Sequence, residues 1–155
     1  TPTTALYKPP TRPQHGADSL GFLLKWQAWI PKDNYGPASF KLDVDPALGI
    51  CIFVLSTVRY LANSTSTSFA IGSVACTNAG TYNLSNSGQV FSYSNSELLC
   101  SYDNNESKVY KEGSFTITRY DLNNRIFSGT FDFTIYKEGC GDTLHFTNGR
   151  FDKKL

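Results

Sequence analysis

Histidine is the residue type most often asked to move protons near neutral pH, and this chain of 155 residues has two. His15 lies among Pro9, Pro10 and Pro13, where nothing fixes its geometry, and His145 alternates with Leu144 and Phe146 as an ordinary strand residue would. No Ser–His–Asp or Cys–His grouping is visible along the chain, although such groupings assemble in space. Glycoside hydrolysis needs two carboxylates held roughly 5–10 Å apart. Asp43, Asp45, Asp132 and Glu138 are available, but Asp132 sits between Phe131 and Phe133 on the outward side of a strand. Asp43-Val-Asp45 and Asp103–Glu106 are dense in oxygen donors without the spacing of a calcium loop. No glycine-rich phosphate loop follows a strand and opens a helix. These residues predict no metal, no cofactor and no enzyme activity.

The formal net charge of +1 and the scattered lysines and arginines exclude the clustered basic face that nucleic acid requires. The Lys153–Lys154 pair reads as a solvated tail. No apolar run approaches the roughly 20 residues of a membrane-crossing helix; the longest, 49–55, is strand length. The four cysteines, Cys51, Cys76, Cys100 and Cys140, show no CxxC spacing. Their even number predicts two disulfides in an oxidising compartment, and so an exported protein.

Aromatic residues carry the best hint of a binding site. Trp26 and Trp29 are three apart, so in an extended strand they face opposite sides. Either one joins the core while the other is exposed, and an exposed tryptophan beside tyrosines suits a sugar or a protein partner, or a small twist or bulge buries both.

The elements that must position these residues are strands. Eleven Phe, nine Tyr and no Met, with Asn, Ser and Thr crowding the middle, is the composition of half-buried strands joined by polar turns. Residues 1–19 form an extended proline-rich linker, and residues 20–155 form a single β domain. Alternation is strongest over Ile126–Tyr136, where Phe127, Gly129, Phe131, Phe133 and Ile135 share one face. Turn signals every eight to twelve residues predict an all-β antiparallel sandwich or barrel. At most a single helical turn fits, around Asp45–Leu48 or Ser94–Leu99. The last four strands (Gln89–Leu99, Lys108–Tyr120, Ile126–Tyr136 and Thr143–Phe151) read as a meander. In such a meander Cys100 and Cys140 meet at one end. A tight turn at Asn63-Ser64 likewise brings Cys51 opposite Cys76, so the expected bridges are Cys51–Cys76 and Cys100–Cys140.

Two motifs resemble a family of secreted Bacteroidetes lipoproteins of unknown function. Phe127-Ser-Gly-Thr-Phe-Asp-Phe-Thr134, followed by Asp142 through Asp152 with its Gly149-Arg-Phe-Asp152, is similar to that family's "SGTFxFT" and "TxGRFD" signature. Pro9-Pro10-Thr11, Gly21-Phe22-Leu23 and Ala28-Trp29-Ile30-Pro31 resemble its N-terminal stretch, and Gly80–Leu84 fits its middle. Where the family has an Asn-Gly hairpin turn, this chain has Lys25-Trp26. That departure puts the tight primed turn in question and places Trp26 at or near a turn. The resemblance implies a lipidated cysteine just before Thr1, with the proline-rich segment as a tether from the outer membrane. It implies no catalytic residues. Gly149-Arg-Phe-Asp152 reads structurally, with a bulge at Gly149 and Arg150 beside Asp152 on one face. Proteins of that phylum carry O-glycans on Asp-Ser/Thr before an apolar residue, which implies Ser19 and Thr143 as acceptors, Ser19 being the more accessible.

The reading that follows is a non-catalytic lipoprotein of the outer membrane or cell surface, or an extracellular protein. It would act as a binding or accessory module, alone or as part of a larger outer-membrane complex, with a protein or a glycan as partner and a lipid anchor as its only membrane contact. The alternatives are an assembly subunit that associates through strand edges and a hydrolase whose site gathers His145 with carboxylates in space.

Overall fold

A computed structural model describes residues 19–31, 39–45, 51–61, 63–76, 78–104 and 106–155, with the backbone alone at 39–45 and 51. The proline-rich linker, His15 and the side chains of Asp43 and Asp45 lie outside what it describes.

Eleven strands form two antiparallel sheets. β1 (Ser19–Leu24), β2 (Gln27–Trp29), β6 (Gly80–Asn83), β9 (Val109–Asp121), β10 (Ile126–Lys137) and β11 (Leu144–Lys154) make a six-stranded sheet in the order β2-β1-β11-β10-β9-β6. β3 (Ser39–Asp45), β4 (Cys51–Tyr60), β5 (Ser66–Cys76), β7 (Gln89–Asn95) and β8 (Cys100–Asp103) make a five-stranded sheet in the order β3-β4-β5-β7-β8. The fold is therefore a sandwich and not a closed barrel. No helix occurs among the described residues. The expected helical turn at Ser94–Leu99 is instead the turn between β7 and β8, and Asp45–Leu48 falls mostly outside the described residues.

Phenylalanine fills the space between the sheets. Ten of the eleven phenylalanines belong to the buried core, nine of them essentially inaccessible to solvent. Burying each is worth about 2–3 kcal/mol, so these rings dominate the energetics of the fold. They pack as one network: Phe22 stacks on Trp29 with ring centres 4.8 Å apart, and Phe133 stacks on Phe146 at 4.9 Å. Phe127, Phe131, Phe133 and Ile135 point inward along β10 and Asp132 points out, as the alternation predicts.

The motif glycines have a packing role. Gly129 is registered with Phe151, and Phe131 with Gly149, so two aromatic rings lie across two glycines on neighbouring strands. A Cβ on Gly149 would come within 2.2 Å of the Phe131 ring, and one on Gly129 within 2.4 Å of the Thr116 carbonyl oxygen. The bulge expected at Gly149 lies just before it. Thr147 and Asn148 together oppose Asp132, and Asn148 takes a left-handed φ of 52°. On the outer face, where Arg150 and Asp152 fall in the same register, the buried Ser128 hydroxyl donates to Asp152 at 2.5 Å.

The four-stranded meander is corrected. β9, β10 and β11 are sequential neighbours, but β7 pairs with β5 and β8 in the other sheet. The chain changes sheets between β8 and β9, through the polar stretch 104–108, so β7 and β9 are never neighbours. Cys100 and Cys140 are nonetheless bridged, with Cα atoms 5.8 Å apart. The bond therefore ties the start of β8 in one sheet to the β10–β11 turn of the other. Cys51 stands opposite Cys76 in the β4–β5 ladder, and Cys76 is disulfide-bonded. A bulge between Cys51 and Phe53 restores the register that the cysteines need.

Candidate functional site

The apolar run Leu20–Ile30 is not one strand. It folds back at Lys25-Trp26, with Leu24 registered against Gln27. Both turn residues have positive φ, 49° at Lys25 and 67° at Trp26. This is the two-residue primed hairpin that Asn-Gly would favour, built here without either residue. The primed turn is retained because its right-handed twist matches the flanking strands, and Lys25 is anchored on both sides of its Cα. Its N–H donates to the His145 carbonyl at 3.4 Å, and its Nζ pairs with Asp142 Oδ2 at 2.5 Å. A tryptophan at φ 67° is strained backbone of the kind that concentrates at functional positions.

The turn settles the two tryptophans. Trp26 is 78% exposed at the hairpin tip. Trp29 is buried as the last residue of β2, with Nε1 donating to Thr67 Oγ1 at 3.1 Å. Trp29 is thus a core residue, and only its edge contributes to the surface of a groove. The expectation that two residues of one strand face opposite ways is corrected, because they do not share a strand.

That groove opens where the two sheets part at the Cys100–Cys140 end and encloses about 410 Å³. Three turns surround it: Lys25-Trp26, the β7–β8 turn and the β10–β11 turn. Its inner wall is a row of cross-strand neighbours, Arg59, Thr67, Asn95 and Cys100, on β4, β5, β7 and β8. Arg59 belongs there by parity, since Phe53, Leu55 and Thr57 precede it on the inward side of β4. One step deeper lie Tyr93 and Tyr102, which are registered with each other. Burial, the larger effect, pushes both tyrosine hydroxyls above their ordinary pKa, against the opposing pull of Asn95 on Tyr93 and of Lys25 on Tyr102. Both therefore stay protonated and able to donate. Leu24, Leu61 and Leu144 supply apolar surface. At the rim, Leu98 is 67% and Leu99 is 91% exposed, and Leu99 also takes a left-handed φ of 53°.

A second, shallower depression lies on the outer face of the six-stranded sheet, between Ser114, Asp132, Asn148 and Arg150. His145 lines neither depression. It is exposed, with Nδ1 3.1 Å from Thr134 Oγ1. No cluster of His, Cys, Asp and Glu suited to a metal ion occurs among the described residues. In the oxygen-rich loop at 103–106, Lys111 Nζ reaches Asn104 and Lys137 Nζ reaches Glu106, so ammonium groups already occupy that site. Ser19 and Thr143 reverse their expected accessibility. Ser19 is half-buried and registered with Asp152 in the ladder, while Thr143 is exposed just before β11.

Residues 62–153 match the model of a domain of unknown function, DUF6252. The chain belongs to this family. The matched stretch runs from the β4–β5 turn to near the end of β11, so it includes Thr67, Asn95, Leu98 and the Cys100–Cys140 bridge. The other wall, from Lys25 to Trp29, precedes it, as does Arg59 of the inner wall. No curated protein and no solved structure matches the chain.

The sequence singles out Trp26, which lies at the hairpin tip beside the groove, and gives no prominence to Arg59, Asn95, Tyr93 or Leu99. For Arg59 a signal existed: a charge on the inward parity of an otherwise apolar strand must leave the core at a sandwich end.

Proposed function

We propose that this chain is a non-catalytic binding module of an exported lipoprotein, held at the outer surface of the cell, and that the groove beside Trp26 is its recognition site. The observation that carries this reading is the concentration of large apolar side chains at two turn tips beside one groove, the β1–β2 and β7–β8 turns. Trp26, Leu98 and Leu99 are the three most exposed large hydrophobic residues of the described chain, and two of them are held at positive φ. Exposed apolar clusters rimmed by polar groups mark interaction sites. Cysteine pairing supports export, and the motif resemblance supports the lipid anchor and an outer-membrane protein or glycan as partner.

The test is affinity capture from native outer membranes with wild-type protein, with Trp26→Ser, and with Tyr110→Ser on the outer sheet face. Capture by wild type and by Tyr110→Ser, with loss in Trp26→Ser, supports the groove end as the recognition site. Equal capture by all three overturns it.

Assembly through strand edges is the second reading, and β3 favours it. The other sheet edges, β2, β6 and β8, are three or four residues long, whereas β3 has seven. A short edge templates poorly and a long one templates well. Sedimentation showing mass that grows with concentration would select this reading.

A further inference from the structure

The groove's charge identifies the chemistry of its ligand. Its lining includes two cations, Lys25 and Arg59, and one carboxylate, Asp142. Lys25 and Asp142 neutralise each other in an ion pair. Arg59 has no ion-pair or hydrogen-bond partner among the described residues. Among the described residues the lining is thus left with one positive charge, on a planar guanidinium whose parallel N–H groups match the two oxygens of a carboxylate. In the same cross-strand row lie Thr67 and Asn95, the Asn95 side chain already hydrogen-bonded to Tyr93 and to the Glu97 and Leu98 N–H groups, and Leu24, Leu61 and Leu144 line the groove with apolar surface.

We propose that the groove takes a ligand bearing a single carboxylate on an apolar or ring-shaped body, with Arg59 as the carboxylate's counter-ion. This rests on the groove being the recognition site. A dianion such as phosphate fits less well, because it would leave one negative charge unpaired in the groove. The carboxylate can come from an acyl chain or from a sugar acid; both present the same group to Arg59 and differ in what covers the leucines.

Titrations followed by amide and guanidinium NMR signals of the full chain distinguish these. The probes are hexanoate, glucuronate and inorganic phosphate, with hexanamide and methyl glucoside as neutral counterparts. The expected result is perturbation at Arg59, Asn95 and Leu98 by a carboxylate at a concentration about tenfold lower than its neutral counterpart requires. Arg59→Gln should abolish that preference, and Arg59→Lys should keep part of it. Preference for hexanoate assigns an acyl source and preference for glucuronate a sugar acid. Stronger response to phosphate, or equal response to hexanoate and hexanamide, overturns the carboxylate while leaving the groove as a binding site. No perturbation of the groove by any probe overturns the carboxylate proposal, and Trp26-dependent capture then decides separately whether the recognition end stands. The comparison of charged and neutral probes on wild-type protein does not depend on any variant folding.

Discussion

The two ends of the sandwich are built on opposite principles. At the end away from the groove, polar groups close on one another. Asp121 Oδ1 accepts the Asn124 N–H at 3.0 Å, Oδ2 accepts from Asn124 Nδ2 at 2.8 Å and from Arg119 at 2.7 Å, and the Leu155 N–H reaches the Arg125 carbonyl at 2.7 Å. At the groove end, tryptophan and leucines project into solvent and an arginine faces open space. Each end has its own cysteine tie, and the ties differ. Cys51 and Cys76 stand opposite each other within one sheet at the far end, while Cys100–Cys140 joins the two sheets at the groove. A bond between sheets is needed where the strands splay and phenylalanine no longer fills the gap. The far end closes through its own hydrogen bonds, whereas the groove end leaves the three most exposed large apolar side chains, Trp26, Leu98 and Leu99, in solvent.

Removing the inter-sheet tie should separate the ends most. The 40-residue loop that Cys100–Cys140 closes predicts a loss of about 4 kcal/mol on replacing both by serine. Urea unfolding measures the loss. Hydrogen exchange should show faster opening at Lys25–Ala28 and Asn95–Tyr102 than at Asp121–Ile126; uniform opening would break the comparison.

Gly149→Ala should cost about 3 kcal/mol, because the new Cβ overlaps the Phe131 ring and overpacking is not relieved inside a sheet. Its effect should spread to both ends, which makes it the control for the disulfide variant in the same exchange experiment.

Trp26→Gly should have the opposite sign. Relieving a left-handed residue adds about 1 kcal/mol, so the melting temperature should rise by a few degrees while capture of a membrane partner is lost. A fall in melting temperature would show that the tip is not strained.

The smallest effect concerns acid. Hydrogen bonds from Asn124 and Arg119 hold the Asp121 carboxyl well below the usual carboxylate range, and the Lys25 ammonium lowers Asp142. A carboxyl depressed in the folded state contributes fully above its unfolded value, about 3.9, and loses that contribution as pH falls through its folded value. Carbon-detected carboxyl titration should give both groups midpoints below those of peptides. Asp121→Asn should weaken the acid dependence of stability at the far end and leave the groove unchanged.

Much of this was legible in the residues. Alternation over Phe127–Ile135 fixed which side of β10 faces inward, and the strands at Ser66–Cys76 and Ile126–Lys137 lie where their patterns place them. The meander was misjudged at one joint, because the period of two that identifies a strand says nothing about which sheet it enters. Cys100 and Cys140 came out paired even so, since both lie at the same end in either topology.

The sequence by itself determined an all-β chain with a phenylalanine core. Those properties follow from side-chain size, polarity and alternation, which act within a strand or between adjacent ones. Only the tertiary structure decided that Arg59, Asn95 and the Lys25–Asp142 pair share one groove. Residues 25, 59, 95 and 142 come from four separate strand ends, and local periodicity carries no information about which ends meet.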